Sequence, residues 1–322
     1  MRYSVIIPVY NRPEEINELL LSLTDLTYKS FEVLIIEDGS TDTCEHVVNR
    51  YEEKLDLHYY RKKNSGQGFS RNFGFERAKG DYFVVFDSDC LIPPHYFDSV
   101  NEKIEQLNEL DCWGGPDRAH ESFTPVQKAI NYSMTSFFTT GGTRGSTHHI
   151  GIYHPRSFNM GISKEVFAAT GGYIITRMGE DLEFSIRIGK NGFHTYYIND
   201  AYVYHKRRTN FAQFYNQLFF FGRARINIRR FHSEELKAVH FFPLFFALGL
   251  IYSIIGSVAD FPFGNALMYL YWVFALILTL DASRREDSLL VGLYSAIAGF
   301  VQLTAYGFGF LSEVFRTPKQ NK

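Results

Sequence analysis

Cysteine is scarce: the 322 residues include three, Cys44, Cys90 and Cys112, too few and too irregularly spaced for a disulfide framework or a structural zinc site built on cysteine. A reducing compartment fits them. Tryptophan is scarcer still, at two residues, Trp113 and Trp272. Charge of either sign is not in excess: Lys+Arg 33 against Asp+Glu 35 leaves a net −2, so nothing in the bulk balance points to nucleic acid. The first apolar run, Val5-Ile6-Ile7, is closed by Pro8 and lacks the length and cleavage region of a signal peptide; it reads as a first strand. No internal repeat or low-complexity tract interrupts the chain, whose length fits about two domains.

Hydrophobic runs, by contrast, are abundant after residue 237. Ala238–Ala259 carries no charge apart from His240, and 263–280 and 289–311 carry none. Each approaches the ~20 apolar residues that a membrane span needs. Just before them lie Lys206, Arg207, Arg208, Arg223, Arg225, Arg229, Arg230 and Lys237, interleaved with phenylalanines. A basic, aromatic-rich helix in that position reads as a segment lying on an anionic membrane face, or as an amphipathic helix packed on its domain. Three spans with the preceding domain in the cytoplasm would place Arg316, Lys319 and Lys322 outside, against the positive-inside tendency. Two spans plus a re-entrant or interfacial third segment, softened by Gln302, Thr304, Gly307 and Gly309, would reconcile the charges.

Upstream, strand-like runs at 4–7, 31–36, 55–60 and Tyr82–Phe86 alternate with helix-like stretches. That order predicts an α/β domain with a mostly parallel sheet covered by helices on both faces. Pro13, Glu14 and Glu15 open a first helix with Ile16, Leu19, Leu20 and Leu23 on one face. A second starts near Asp42 with Glu45 as a capping-box partner, and a third fills 67–78. Beyond residue 89, Gly114-Gly115-Pro116 and 141–145 punctuate a polar region with His148, His149 and His154, expected as long loops with a lid and not as ligands. Leu182, Phe184, Ile186 and Ile188 alternate like a strand, so periodicity leaves that element open.

Acids then gather where strands end. Asp87-Ser88-Asp89 follows Tyr82-Phe83-Val84-Val85-Phe86, a run apolar enough to be buried on both faces. In an open α/β sheet that carboxyl end is where ligands bind, and two hard oxygen donors there suit a magnesium- or manganese-type ion bridging phosphates. Asp38, in Glu37-Asp38-Gly39-Ser40, ends the second strand at the same expected edge, where it can accept from a nucleobase imide or a ribose hydroxyl. Gly66-Gln67-Gly68-Phe69-Ser70-Arg71 invites a dinucleotide reading, yet Arg71 stands where that fingerprint wants glycine or alanine. Arg71 is then either a diphosphate contact or a surface cation.

Taken together, these residues resemble the family 2 glycosyltransferases, which share the GT-A fold. The likeness is carried by Ile7-Pro8-Val9-Tyr10-Asn11, Asp38-Gly39-Ser40, Asn64-x-Gly66 with Arg71-Asn72-x-Gly74, Gly80-Asp81 and the DXD motif Asp87-x-Asp89. Further along, 161–173 with Gly171-Gly172 looks like the family's acceptor-side loop, and Gly179-Glu180-Asp181 like its second acidic motif. The tract from Gly114-Gly115-Pro116 through Gln127-Lys128-Ala129-Ile130 to Thr140-Gly141-Gly142 is similar to membrane-associated members that glucosylate lipid-linked exopolysaccharide precursors.

The resemblance implies that Pro8, Tyr10, Asp38, Asn64, Arg71 and Asp87 bind a nucleotide-sugar, that Asp89, Asp87 and His205 hold a divalent cation (Mg or Mn), and that Asp181 is the general base beside Glu180. It implies an inverting hexosyltransferase. Gln213 to Arg223 lacks the Gln-x-x-Arg-Trp of processive synthases, which argues for transfer of a single sugar. The expected organisation is a catalytic GT-A domain over 1–232 with the basic helix near its end, hydrophobic helices over 238–312, and a polar tail, 313–322. The expected activity is transfer from a nucleotide-sugar, uridine-linked by preference, to a lipid-linked glycan acceptor at the cytoplasmic membrane face, for cell-surface polysaccharide synthesis. Transfer straight onto polyprenyl phosphate or another membrane lipid is the alternative. A catalytically silent membrane scaffold is the other class; it would have no need to retain Asp87, Asp89 and Asp181 together. Nucleic acid is not an expected partner, and the sequence leaves the oligomeric state open.

Overall fold

A computed structural model describes residues 2–120, 123–141 and 153–316. In chain order its elements are β1 (Tyr3–Val9), α1 (Pro13–Thr24), β2 (Phe31–Asp38), α2 (Glu45–Val48), β3 (Leu57–Lys62), α3 (Gln67–Phe75), β4 (Tyr82–Phe86), β5 (Cys90–Leu91), α4 (Tyr96–Leu107), β6 (Cys112–Gly114), β7 (Asp117–Arg118), α5 (Pro125–Thr135), α6 (Phe137–Thr140), β8 (Asn159–Ser163), α7 (Lys164–Thr170), α8 (Glu180–Lys190), β9 (Thr195–Tyr197), β10 (Val203–His205), α9 (Phe211–Arg229), α10 (Phe242–Ala259), α11 (Gly264–Glu286) and α12 (Leu289–Val314). They form two compact units, Met1–His120 with Gly151–Lys206, and Glu121–Ile150 with Arg207–Lys322.

The first unit is built on a sheet of order β3-β2-β1-β4-β8-β6-β9, in which β1 to β4 run parallel and β8 runs antiparallel to both β4 and β6. A second small sheet is ordered β5-β10-β7. Strand parity assigns the two cores. Tyr3, Val5 and Ile7 face the Ile16, Leu19, Leu20 and Leu23 stripe of α1 and Tyr96, Phe97 and Val100 of α4. Ile6, Leu34, Ile36 and Val85 face Phe75, Tyr173 and Phe184 on the other side. Helices therefore cover both faces, as the βα alternation predicts. Cys44, Cys90 and Cys112 are free and buried.

Two local expectations differ. The capping box at Asp42 and Glu45 does not form: α2 has only four residues and begins after Cys44, whose N–H donates instead to Glu37 at 2.9 Å. The 161–173 stretch is the end of β8, helix α7 and a glycine turn rather than a loop throughout. Residues 180–190, which periodicity left open, are helical. Of the polar region expected to hold long loops and a lid, 142–152, with His148 and His149, lies outside the described residues.

In the second unit α10 and α11 form an antiparallel hairpin, with Gly256 against Gly264 near its tip and Phe246 against Tyr271 and Phe274 lower down. Few of their side chains are buried, and Phe245, Val258, Tyr269 and Trp272 are among the exposed ones. Helix α12 is more enclosed and packs on α5, α9, α10 and α11. A Cβ on Gly309 would come within 2.0 Å of the Phe219 carbonyl oxygen, and one on Gly222 within 2.0 Å of the Tyr306 carbonyl oxygen, so glycine is what allows α9 and α12 to touch. Arg223 and Arg230 both reach the buried Glu313, at 2.8 and 3.0 Å. Basic helix α9 is thus packed within its unit, which takes in Glu121–Ile150 and resumes at Arg207. Helices α10, α11 and α12 are each long and apolar enough to cross a membrane.

Candidate active site

Strand order sets the location. From β1 the sheet grows one way through β2 and β3 and the other way through β4, so the loops after β1 and β4 diverge at a switch point, where α/β folds open a ligand crevice. Arg12 leaves the β1 loop and Asp89 the β4 loop, and they meet there, Nη1 to Oδ2 at 2.7 Å. The other face of the Asp89 carboxylate lies 3.2 Å from Nε2 of His205, which β10 delivers by pairing with β5. Burial works against the Asp89 charge, but His205 and Arg12 outweigh it and hold this carboxyl well below the ordinary range.

Asp38 closes β2 beside Lys62, its register partner on β3, with Nζ to Oδ1 at 2.5 Å. The N–H groups of Ser65 and Gly66 each donate to its carboxylate at 2.8 Å, and Asn64 Nδ2 donates to its carbonyl at the same distance. Gly66 sits at φ +86°, and a Cβ there would strike Thr176 Oγ1 at 2.3 Å, so only glycine gives this turn. Burial would raise Asp38, but the Lys62 hydrogen bond, the Ser65 N–H and the Ser70 hydroxyl hold it below its usual value.

Between these two acids Arg71 rises from α3, with its side chain 1% exposed. Nη2 reaches Asp87 at 2.8 Å and Nη1 reaches Glu180 at 3.3 Å. The surface-cation reading is therefore excluded: this guanidinium is a buried strut that couples the β4 terminus to the start of α8. Gln67 donates to the same Glu180 oxygen. Burial, and then the neighbouring Asp181 charge, raise the Glu180 carboxyl. Asp181 is more open; its Oδ1 accepts from the Leu182 N–H at 2.7 Å and its Oδ2 lies 3.6 Å from Arg156.

The predicted acids thus converge on one end of the sheet. Asp38 reaches Glu180 through the 64–67 turn, and Asp87 reaches it through Arg71. The expected metal set divides, however. Asp89 and His205 stand together, while Asp87 faces Arg71. Cys90 lies beside Asp89 and His205, and burial raises its thiol well above normal. A carboxylate and an imidazole are donors that can hold a divalent cation. Pro8 lies within β1 and Tyr10 is 51% exposed just beyond it.

Arg12, Lys62, Gln67 and Arg156 escaped sequence reasoning. Only Lys62 had a positional signal, two residues beyond the strand-like run at 55–60. An isolated cation otherwise reads as surface charge.

Residues 4–167 match the model for Glycosyl transferase family 2. The chain belongs to that family. A similar protein, an uncharacterized glycosyltransferase of Haemophilus influenzae, is 30% identical over 218 residues, covering 64% of this chain and 70% of that one. Another, from Rickettsia felis, is 38% identical over 142 residues, 44% of this chain and 22% of that protein. This chain spans only 22%, 17% and 32% of three Rickettsia relatives. Among solved structures, mannosyltransferase PcManGT from Pyrobaculum calidifontis in complex with GDP-Man and Mn2+ aligns with TM-score 0.61 at 16% identity, over 98% of this chain and 87% of that one. S. aureus TarS 1-349 in complex with UDP-GlcNAc aligns with TM-score 0.51 at 20% identity, over 98% and 93%. At such identities the likeness is one of fold, and the fold is GT-A.

Proposed function

We propose that this family 2 domain transfers one sugar from a nucleotide-sugar, uridine-linked by preference, to a lipid-linked glycan at the cytoplasmic face of a membrane, with inversion. The observation that carries this reading is the pairing of the open Asp181 carboxylate with a buried Arg71 that ties Glu180 to the DXD motif. Asp38, with Asn64 shaping its turn, accepts from the base or ribose of the donor, and the exposed Tyr10 offers a face beside it. Arg12, one-third exposed at the switch point, supplies positive charge for the diphosphate. Asp181 takes the proton of the acceptor hydroxyl, whose oxygen attacks the anomeric carbon as the bond to the diphosphate breaks. Glu180, held by Gln67 and Arg71, positions that base.

Asp89 and His205 are the residues that would hold a divalent cation, which when bound neutralises charge on the departing diphosphate. Two structural neighbours, one in complex with GDP-Man and Mn2+ and one with UDP-GlcNAc, support the donor class. The uncharged faces of α10 and α11 support a lipid-held acceptor.

The test is mass spectrometry of lipid-linked glycans after the purified full chain, in detergent with Mg2+ or Mn2+, meets a panel of nucleotide-sugars and a membrane lipid extract. One added hexose of inverted configuration is expected, and Asp181→Asn should abolish it. A retained configuration, a polymeric product or full activity in Asp181→Asn overturns the proposal.

A further inference from the structure

The opposite, amino end of the same sheet carries a second cluster. Glu32 on β2 and His58 on β3 share one face: Ser4 pairs with Glu32 and Leu34 with His58, and strand parity does the rest. Asp56, two residues before His58, keeps the same parity. Glu32 is completely buried. Its Oε1 is fixed by the Ser4 hydroxyl and the Lys79 N–H, each at 2.6 Å. Its Oε2 is buried and accepts no hydrogen bond.

That oxygen lies 3.4 Å from His58 Nε2, and the same nitrogen is 3.4 Å from Asp56 Oδ1. Three donors, one from each residue, fall within 4.8 Å of one another. Ligands at 2.0–2.1 Å around a tetrahedral ion stand about 3.3 Å apart. The two measured separations match that edge.

We infer that Glu32, Asp56 and His58 form a second divalent-metal site, of zinc type, at the end of the sheet remote from the β-strand carboxyl termini. Two carboxylates and an imidazole are a zinc donor set, with a fourth position left to water. Ser4 and the Lys79 N–H hold the Glu32 carboxylate from behind, the arrangement that orients metal ligands. Arg2 competes for the place, with Nη2 2.5 Å from Asp56 Oδ2 and 3.9 Å from Glu32 Oε2. Its side chain is 41% exposed, so a bound ion can displace it into solvent. The bound ion clips β3, the last strand on its side of the sheet, to β2.

The experiment is titration of the chelator-stripped full chain in detergent with ZnCl2, followed calorimetrically and by the melting temperature, with CoCl2 added separately for its visible absorption. Asp89→Asn should retain one tight zinc and a tetrahedral cobalt spectrum. His58→Ala and Asp56→Asn should each weaken zinc at least about tenfold and lose the zinc-induced rise in melting temperature. Arg2→Ala should bind zinc more tightly. If His58→Ala misfolds, Asp56→Asn, at an exposed position, decides. Zinc affinity unchanged in the His58 and Asp56 variants, or lost in Asp89→Asn, overturns the site.

Discussion

Arg71 shows what a single residue does here. Its guanidinium is wholly enclosed, its charge sustained by Tyr173, Asp87, Glu180 and Asp181 against the cost of burial. Replacing it with methionine leaves Asp87 and Glu180 without their shared cation, and breaking buried pairs of this kind costs about 3–5 kcal/mol. Thermal melts of Arg71→Met in detergent should show that loss, with donor binding weakened alongside. Asp89 makes a pH-dependent prediction. Its folded value is depressed, so the stability it contributes is present above about pH 4, the ordinary carboxylate value, and is lost as pH falls through the lower folded value. Asp89→Asn should therefore melt lower than wild type at pH 7, with the gap closing toward pH 3. Glu180 has the opposite sign: its raised value means the fold favours the protonated acid, and its cost to stability grows as pH rises through that value. At the chemistry, Asp181→Asn should lower kcat by about 10²–10⁴ while KM for the donor stays within a few-fold; unchanged kcat would remove Asp181 from the role of base. The convergence of Asp38, Asp87 and Asp89 was legible, because acids at strand ends carry a positional meaning. That Arg71 is a strut, and that Arg12 and Lys62 answer two of these acids, was not, since nothing local in a sequence says which cation folds inward.

At the level of elements, legibility followed how much of an element is exposed. Helix α1 has one buried stripe, and its boundaries are plain in the sequence. Helix α8 buries Leu182, Glu183, Phe184, Ser185, Ile186 and Ile188, so the 3.6-residue stripe disappears and the remaining alternation imitates a strand. Helix α9 was open to two readings, a surface lying on lipid or an amphipathic helix packed on its domain; Arg223 and Arg230 turn to Glu313, and Gly222 and Gly309 bring α9 and α12 into backbone contact. Glu313→Ala should leave two cations facing each other and cost about 3–5 kcal/mol. Gly309→Leu should be at least as damaging, because the added side chain meets the Phe219 backbone. Both losses are read as melting temperature in detergent, and an unshifted melt in both variants would mean that the α9–α12 contact contributes nothing to holding the unit together.

For the whole molecule, the open matter is how many of the apolar helices cross a membrane, and the helical unit constrains it internally. Gly292, near the start of α12, packs on Thr279 and Ser283 of α11. If α12 continued residue for residue along α11, Gly307 would reach Met268. Instead Gly307 lies against Pro243 and Phe310 against Phe241, at the beginning of α10. In the α10–α11 hairpin, residues 243 and 241 stand level with the last third of α11, because Phe246 meets Phe274 and Gly256 meets Gly264. Helix α12 therefore crosses the open end of the hairpin and does not run to its tip. A 23-residue helix such as α11 is about 34 Å long, enough to span the hydrocarbon core, and it pairs with α10 as a hairpin. If that hairpin is the only part that crosses, Arg284, Arg285 and the cations of α9 would share the face that the positive-inside tendency assigns to the cytoplasm, and the charge conflict raised by Arg316 would disappear. The buried native cysteines leave a quiet background for labelling. In sealed vesicles, a membrane-impermeant maleimide should reach Leu289→Cys and Phe315→Cys from the same side and Phe261→Cys from the other. If Phe315→Cys labels with Phe261→Cys, α12 spans the bilayer, and the base-crossing placement gives way to three passes.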